Sequence, residues 1–135
     1  MKELSIEAAV ENIPKVTAFV DAELEAVDCP MKAQLQIDVA IDEIFANISY
    51  YAYAPGTGTA TVRFELEHEP RAAVITFLDR GKPFNPLLLR EPDTSLAVED
   101  REIGGLGVFM VKKTMDEISY EFKDGQNILC MKKFL

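Results

Sequence analysis

One stretch constrains this chain more than any other: Leu35 to Tyr53, LQIDVAIDEIFANISYYAY. Ile37, Ile41, Ile44, Ile48 and Tyr51 or Ala52 recur at spacings of three and four, which describes one apolar face of a long helix. Such a face must be covered by other layers of the fold. Asp38, Asp42 and Ser49 fall on the opposite side and are expected to face water; Phe45 falls there too and fits less well. Glu43 and Asn47 do neither. At about 100° per residue they stack one turn apart, on the border of the apolar face. Two readings of the pair stand open. In one, the two side chains hydrogen-bond each other, for about a few tenths of a kcal/mol. In the other, Glu43 is a base and Asn47 an oxygen ligand for a hard cation, both held on a rigid platform.

Composition narrows the classes. The chain has 135 residues, of which 48% are hydrophobic, enough for one domain with a core of its own. Its net charge of −9 argues against binding to nucleic acid and against docking on an anionic membrane. A nucleotide remains open, because a small anion answers to local groups and to Mg²⁺. Cys29 and Cys130 have neither CxxC spacing nor a partner pattern, so a zinc site and a disulfide scaffold are not expected. There is no signal peptide and no apolar run near 20 residues, and a cytoplasmic location is the expectation.

Around the central helix the elements read in order. Met1 to Ala8 alternates through Leu4 and Ile6 as a short strand. A helix is expected from about Ile13 to Val27, capped by Asn12, with Pro14 in its first turn and Asp28-Cys29-Pro30 as its stop. After the central helix, Ala54-Pro55-Gly56-Thr57-Gly58 is a turn; no Lys-Ser/Thr follows, so it is not a P-loop. Strands follow at Thr59 to Glu67 and Arg71 to Leu78, joined by a polar turn that carries the only histidine, His68. That histidine has no nearby Ser or Cys and reads as a surface residue.

The second strand runs into Asp79-Arg80-Gly81-Lys82-Pro83-Phe84. An aspartate at the end of an apolar strand is costly to bury unless something donates to it, and Gly81 would let a flat ligand approach the backbone. Taken alone it is also an ordinary Asp-x-Gly turn. Residues 85–103 form a long segment with weak periodicity, read as a lid or loop with a short helix near Ser95 to Glu99. Gly104-Gly105-Leu106-Gly107 then opens an amphipathic helix with Val108, Val111 and Met115 inward. Backbone N–H groups at a helix start form a ready anion site. Two last strands, Glu117 to Phe122 and Asn127 to Phe134, flank a Lys123-Asp124-Gly125 turn.

These residues, in this order, carry a resemblance. Glu43-x-x-x-Asn47 on a helix, Asp79-x-Gly81-x-Pro83-Phe84 after a strand, and Gly104-Gly105-Leu106-Gly107 opening a helix resemble the GHKL superfamily of ATP-binding proteins, which includes gyrase, histidine kinases and MutL. Within it, DEIFANISYYAY, the Pro-Phe after the Asp-x-Gly, and GGLGVFMVKKTMD are most similar to the anti-sigma factor serine/threonine kinases. The similarity covers nearly the whole chain. It implies an α+β fold, a two-layer sandwich of the Bergerat type with helices on one face of a mixed, mainly antiparallel sheet.

The resemblance also implies roles. Asp79 would accept from the adenine amino group of ATP or ADP, with Gly81 beside the ring and Phe84 close by. Asn47 would bind Mg²⁺. Glu43 would take the proton from the attacking serine. Gly104, Gly105, Leu106 and Gly107 would contact phosphates through their backbone. The implied partners are a STAS-type anti-anti-sigma protein as substrate, a sigma factor, and a second copy in a homodimer. Two departures stand out. Gly125 is followed by Gln126 and Asn127 where many members have Gly-Thr, whose hydroxyl supports adenine binding; and Tyr51 stands where the sporulation-type kinases often have His. The alternative reading is a nucleotide-dependent binding module that switches partners with little phosphotransfer; ordinary ATP hydrolysis is a third.

Overall fold

The structure is a computed structural model that describes residues 1–88 and 105–135. Gly104, the expected helix at 95–99 and most of the expected lid lie outside the described residues. The elements are β1 (Lys2–Glu7), a 3₁₀ turn (Val10–Asn12), α1 (Ile13–Ala26), α2 (Met31–Tyr51), β2 (Thr59–Glu67), β3 (Ala72–Asp79), a second 3₁₀ turn (Pro86–Leu88), α3 (Gly105–Thr114), β4 (Glu117–Lys123) and β5 (Gln126–Phe134). The strands form one sheet in the order β1-β2-β3-β5-β4. Every pairing among the described residues is antiparallel, where a mixed, mainly antiparallel sheet was expected. The fold class is otherwise the expected α+β arrangement.

One face of the sheet carries Val62, Phe64, Ile75, Phe77, Leu129 and Met131, and these form the core with apolar side chains of all three helices. The alternation of β2 fits this, since Ala60, Val62 and Phe64 are buried and their neighbours are not. The other face carries ion pairs between Arg63 and Glu3 and between Lys132 and both Glu67 and Glu117. No helix among the described residues is long and apolar enough to cross a membrane.

Helix α2 starts four residues earlier than expected, directly after Pro30. It is buried along a broad arc that includes Ile37, Ala40, Ile41, Ile44, Phe45 and Asn47. Phe45 is fully buried, not turned to water. Asp38 is also not a plain surface residue. It faces Asp21 of α1, and burial, followed by the adjoining Asp21 carboxyl, pushes its pKa up to about 8. The reason is that α2 is flanked by helices on two sides, α1 and α3, as well as by the sheet. Asn12 precedes α1 as expected, but its side chain does not cap the helix; it donates to the Glu7 carbonyl at 2.9 Å.

Two turns set positions that matter below. Asp124 and Gly125 both have positive φ, 53° and 78°, which suits a two-residue hairpin between β4 and β5. That hairpin and the β3–β5 register place Asn127 directly opposite Asp79. At the end of α2, the Lys82 N–H donates to the Ala52 carbonyl at 2.9 Å, which holds the chain after β3 against the helix end.

Candidate functional site

A cleft opens between α2 and the ends of β3 and β5. Ile44, Ile48, Phe77 and Leu129 supply apolar wall, and Asn47, Asp79, Tyr120 and Asn127 supply polar groups. Phe84 stands at the cleft and stacks against Tyr51 with ring centroids 4.9 Å apart.

Asn47 is 4% exposed. Its Nδ2 donates to the backbone carbonyl of Glu43, one turn earlier, at 2.7 Å. That bond fixes which way the amide points. It leaves Oδ1 buried with no partner among the described residues. A buried polar oxygen without a donor costs about 1–3 kcal/mol, so this atom calls for a ligand. A hard cation fits it, since a neutral carbonyl oxygen is a suitable ligand. Among the described residues there is no cluster of three His, Cys, Asp or Glu side chains that could hold a metal. A cation bound here would therefore take most of its other ligands from an anionic guest or water. The side-chain pairing of Glu43 with Asn47 is not what forms; the bond goes to the backbone.

Glu43 lies beside the first turn of α3. A Cβ added to Gly107 would come within 1.8 Å of Glu43 Oε2 and 2.1 Å of its Cδ. Gly107 is thus needed for the carboxylate to rest against α3, where the sequence suggested room for a phosphate. Burial, followed by the nearby Asp42, raises the pKa of Glu43 above the ordinary glutamate value. That shift favours a base working nearer neutral pH.

Asp79 ends β3 and is 5% exposed. Its Oδ1 accepts from the Gly81 N–H at 2.9 Å and from Asn127 Nδ2 at 2.8 Å. No hydrogen bond from the described residues reaches Oδ2. Burial raises its pKa, and the two donors oppose that rise. Gly81 is also a tight place: a Cβ there would sit 2.1 Å from the Ala52 carbonyl oxygen, so the glycine admits the end of α2.

Sequence reasoning missed Asn127 and Tyr120. The sequence marks Asn127 only as a departure from the Gly-Thr of many members, yet it is the most connected side chain of the cleft. Besides Asp79, its Nδ2 donates to the Lys82 carbonyl at 2.9 Å. Its Oδ1 accepts from the Phe84 N–H at 3.1 Å and from the Tyr120 hydroxyl. The signal available was the Asp-Gly turn, which predicts the β4–β5 hairpin; nothing in the sequence predicts which residue of β3 lies opposite. Lys112 donates to the Leu87 carbonyl at 3.2 Å.

The structure therefore gathers Asn47, Asp79 and Phe84 around one cleft and sets Glu43 against Gly107 one helical turn from Asn47. Gly105 and Leu106 open α3 beside them; Gly104 lies outside the described residues.

The family of histidine kinase-like ATPase domains matches residues 6–133. The chain is 32% identical over 103 residues to the serine-protein kinase RsbW of Halalkalibacterium halodurans, covering 73% of this chain and 61% of that protein. It is 25% identical over 100 residues to the serine/threonine-protein kinase BtrW of Bordetella bronchiseptica, covering 74% and 70%. With RsbW of Bacillus mycoides it shares 31% identity over 98 residues, covering 70% and 60%. The chain spans about three fifths of the length of these two RsbW proteins. The family match runs from β1 into β5 and takes in every residue of the cleft, and on that ground the chain belongs to the family of histidine kinase-like ATPase domains.

Proposed function

We propose that this chain is an ATP-dependent protein-serine kinase that phosphorylates a STAS-type anti-anti-sigma protein and regulates a sigma factor by switching partners. It would work as a homodimer in the cytoplasm. The observation that carries the reading is the pairing, in one cleft, of an aspartate with one oxygen and an asparagine with a buried carbonyl oxygen that have no partner among the described residues. The first suits a purine amino group. The second suits a cation that accompanies phosphates. The printed names of the relatives, serine-protein kinase and serine/threonine-protein kinase, point the same way.

The chemistry follows from the residues. Apolar side chains around Phe77 and Leu129 would hold the flat base, and Asp79 would accept its amino hydrogen. Asn47 would hold Mg²⁺, which neutralises phosphate charge when bound. The N–H groups that open α3, at Gly105, Leu106 and Gly107, would receive phosphate oxygens. Glu43 would take the proton of the incoming serine hydroxyl as its oxygen attacks the terminal phosphorus and ADP departs. Phosphoryl transfer depends mostly on positioning and charge neutralisation, and this set supplies both.

The test is Glu43→Gln. Nucleotide affinity should stay within about threefold, while transfer to a STAS-type serine should fall by about 10²-fold or more. Transfer at an undiminished rate would remove Glu43 from its role as base. Partner control that survives in the variant would favour the nucleotide-dependent binding module.

A further inference from the structure

The Asn127 amide makes five bonds of one consistent sense. Its Nδ2 donates to Asp79 Oδ1, to the Lys82 carbonyl and, at 3.5 Å, to the Gly81 carbonyl, and its Oδ1 accepts from the Phe84 N–H and the Tyr120 hydroxyl. Flipping the amide would set Oδ1 against a carboxylate and a carbonyl, and Nδ2 against a backbone N–H, so only one orientation satisfies the site. Its donors are both used within the protein, so Asn127 has none left for a ligand. What it does is occupy one oxygen of Asp79 from the side and hold the carboxylate plane. With Gly81 N–H on the same oxygen, Oδ2 is left as a single open acceptor at the cleft.

We propose that Asn127 is a positioning residue for base specificity: by holding Oδ1 of Asp79 it fixes the carboxylate plane and keeps the acceptor Oδ2 in one place at the cleft, which sharpens selection of a purine with an exocyclic 6-amino group over one with a 6-oxo group. An acceptor facing a carbonyl oxygen leaves two lone pairs opposed and unpaired in a buried site. Sites built this way reject the mismatched analogue strongly. Tyr120 and the Phe84 N–H have a supporting part, since they fix the far end of the same amide. The inference rests on the reading of this cleft as a nucleotide site.

The experiment measures Mg-ADP and Mg-IDP affinity by calorimetry for the intact chain, Asn127→Ala and Asn127→Asp. Hypoxanthine differs from adenine in carrying the 6-oxo group in place of the amino group, and with it a proton on N1. The intact chain should prefer ADP by roughly tenfold or more. Asn127→Ala removes the clamp, and the ADP-to-IDP ratio should fall by about fivefold or more. Asn127→Asp keeps the size and the acceptor side but sets a second carboxyl against Asp79 Oδ1, so the two must share a proton and the fixed acceptor is lost; the ratio should fall here too. Equal losses for ADP and IDP in both variants, with the ratio unchanged, would overturn the proposal and leave Asn127 a purely structural residue. A ratio near one in the intact chain, with ADP bound, would overturn the proposal while leaving the nucleotide site standing. Binding of neither nucleotide by the intact, folded chain would overturn the site reading and this inference with it.

Discussion

Gly107→Ala is the sharpest test of how α3 and Glu43 fit together. The new Cβ would stand 1.8 Å from Glu43 Oε2, 2.1 Å from Cδ and 2.7 Å from Cγ. Ordinary contact needs about 3.5 Å, so the carboxylate must withdraw by about 1.5 Å. The three nearest atoms all belong to one flexible side chain, not to backbone. Leaving its present rotamer costs the fold about 0.5–1.5 kcal/mol. Replacing glycine by alanine inside a helix returns about 0.8–1 kcal/mol. The two nearly cancel, and the melting temperature should stay within about 5 °C of the parent. Catalysis should not be spared, because a base displaced by more than an ångström loses its contact with the serine proton. We expect phosphoryl transfer to a STAS-type acceptor to fall about 10²-fold, with ADP affinity changed little. The assay is single-turnover transfer from radiolabelled ATP beside calorimetric ADP binding. A stable Gly107→Ala protein that transfers within threefold of the parent rate would refute the argument that the glycine exists to seat Glu43.

Three further outcomes follow from the same geometry. Gly81→Ala puts a Cβ 2.1 Å from a backbone carbonyl oxygen that the Lys82 N–H also uses, so it should cost about 2–4 kcal/mol in urea unfolding, unlike Gly107→Ala. Asp38 keeps its proton in the folded chain up to about pH 8 but releases it near 3.8 when unfolded, so the folded state binds more protons between those values and stability falls as pH rises through that window. Asp38→Asn should flatten this slope and, after allowing for solvent screening, stabilise the protein by about 1–2 kcal/mol at pH 8 relative to pH 5, read by thermal unfolding at both. Gly125→Ala meets no atom within 4 Å but forces alanine to a φ of 78°, so it should cost about 1–2 kcal/mol from backbone conformation alone, and Gly125→Asn should cost less.

The elements themselves were legible in the sequence because their periodicities are strong. β2 runs from Thr59 to Glu67 as its alternation predicts, α1, β4 and β5 shift by one residue at one end, and β3 by one residue at each end. The central helix was misjudged on one flank. Phe45 and Asp38 sit next to each other on the helical wheel, and a hydropathy pattern reads that side as wet. Whether it is wet depends on α1 lying across it, which is a fact about packing and not about local sequence. The site shows the same division. Glu43, Asn47 and Asp79 were legible because each is a polar residue in an apolar element. Asn127 was not, because its importance comes from the pairing of β5 with β3, strands separated by nearly fifty positions. The glycines were legible as tight places, but not for what fills them: Ala52 at Gly81, and Glu43 at Gly107.

The two-residue turn at Asp124 and Gly125 makes the cleft sensitive to chain length more than to residue identity. β5 is held on both sides, by β3 and by β4, whereas β4 is an edge strand with one neighbour. If the turn gained one residue, β5 would keep its place and β4 would slip. Side chains alternate along a strand, so a slip of one turns Tyr120 from the inner face to the outer. Asn127 would lose its hydroxyl partner, and the pocket one of its polar walls, without any change to Asn47, Asp79 or Phe84. Related chains with an insertion at this turn should therefore carry a different partner for the amide, or a different residue at its position.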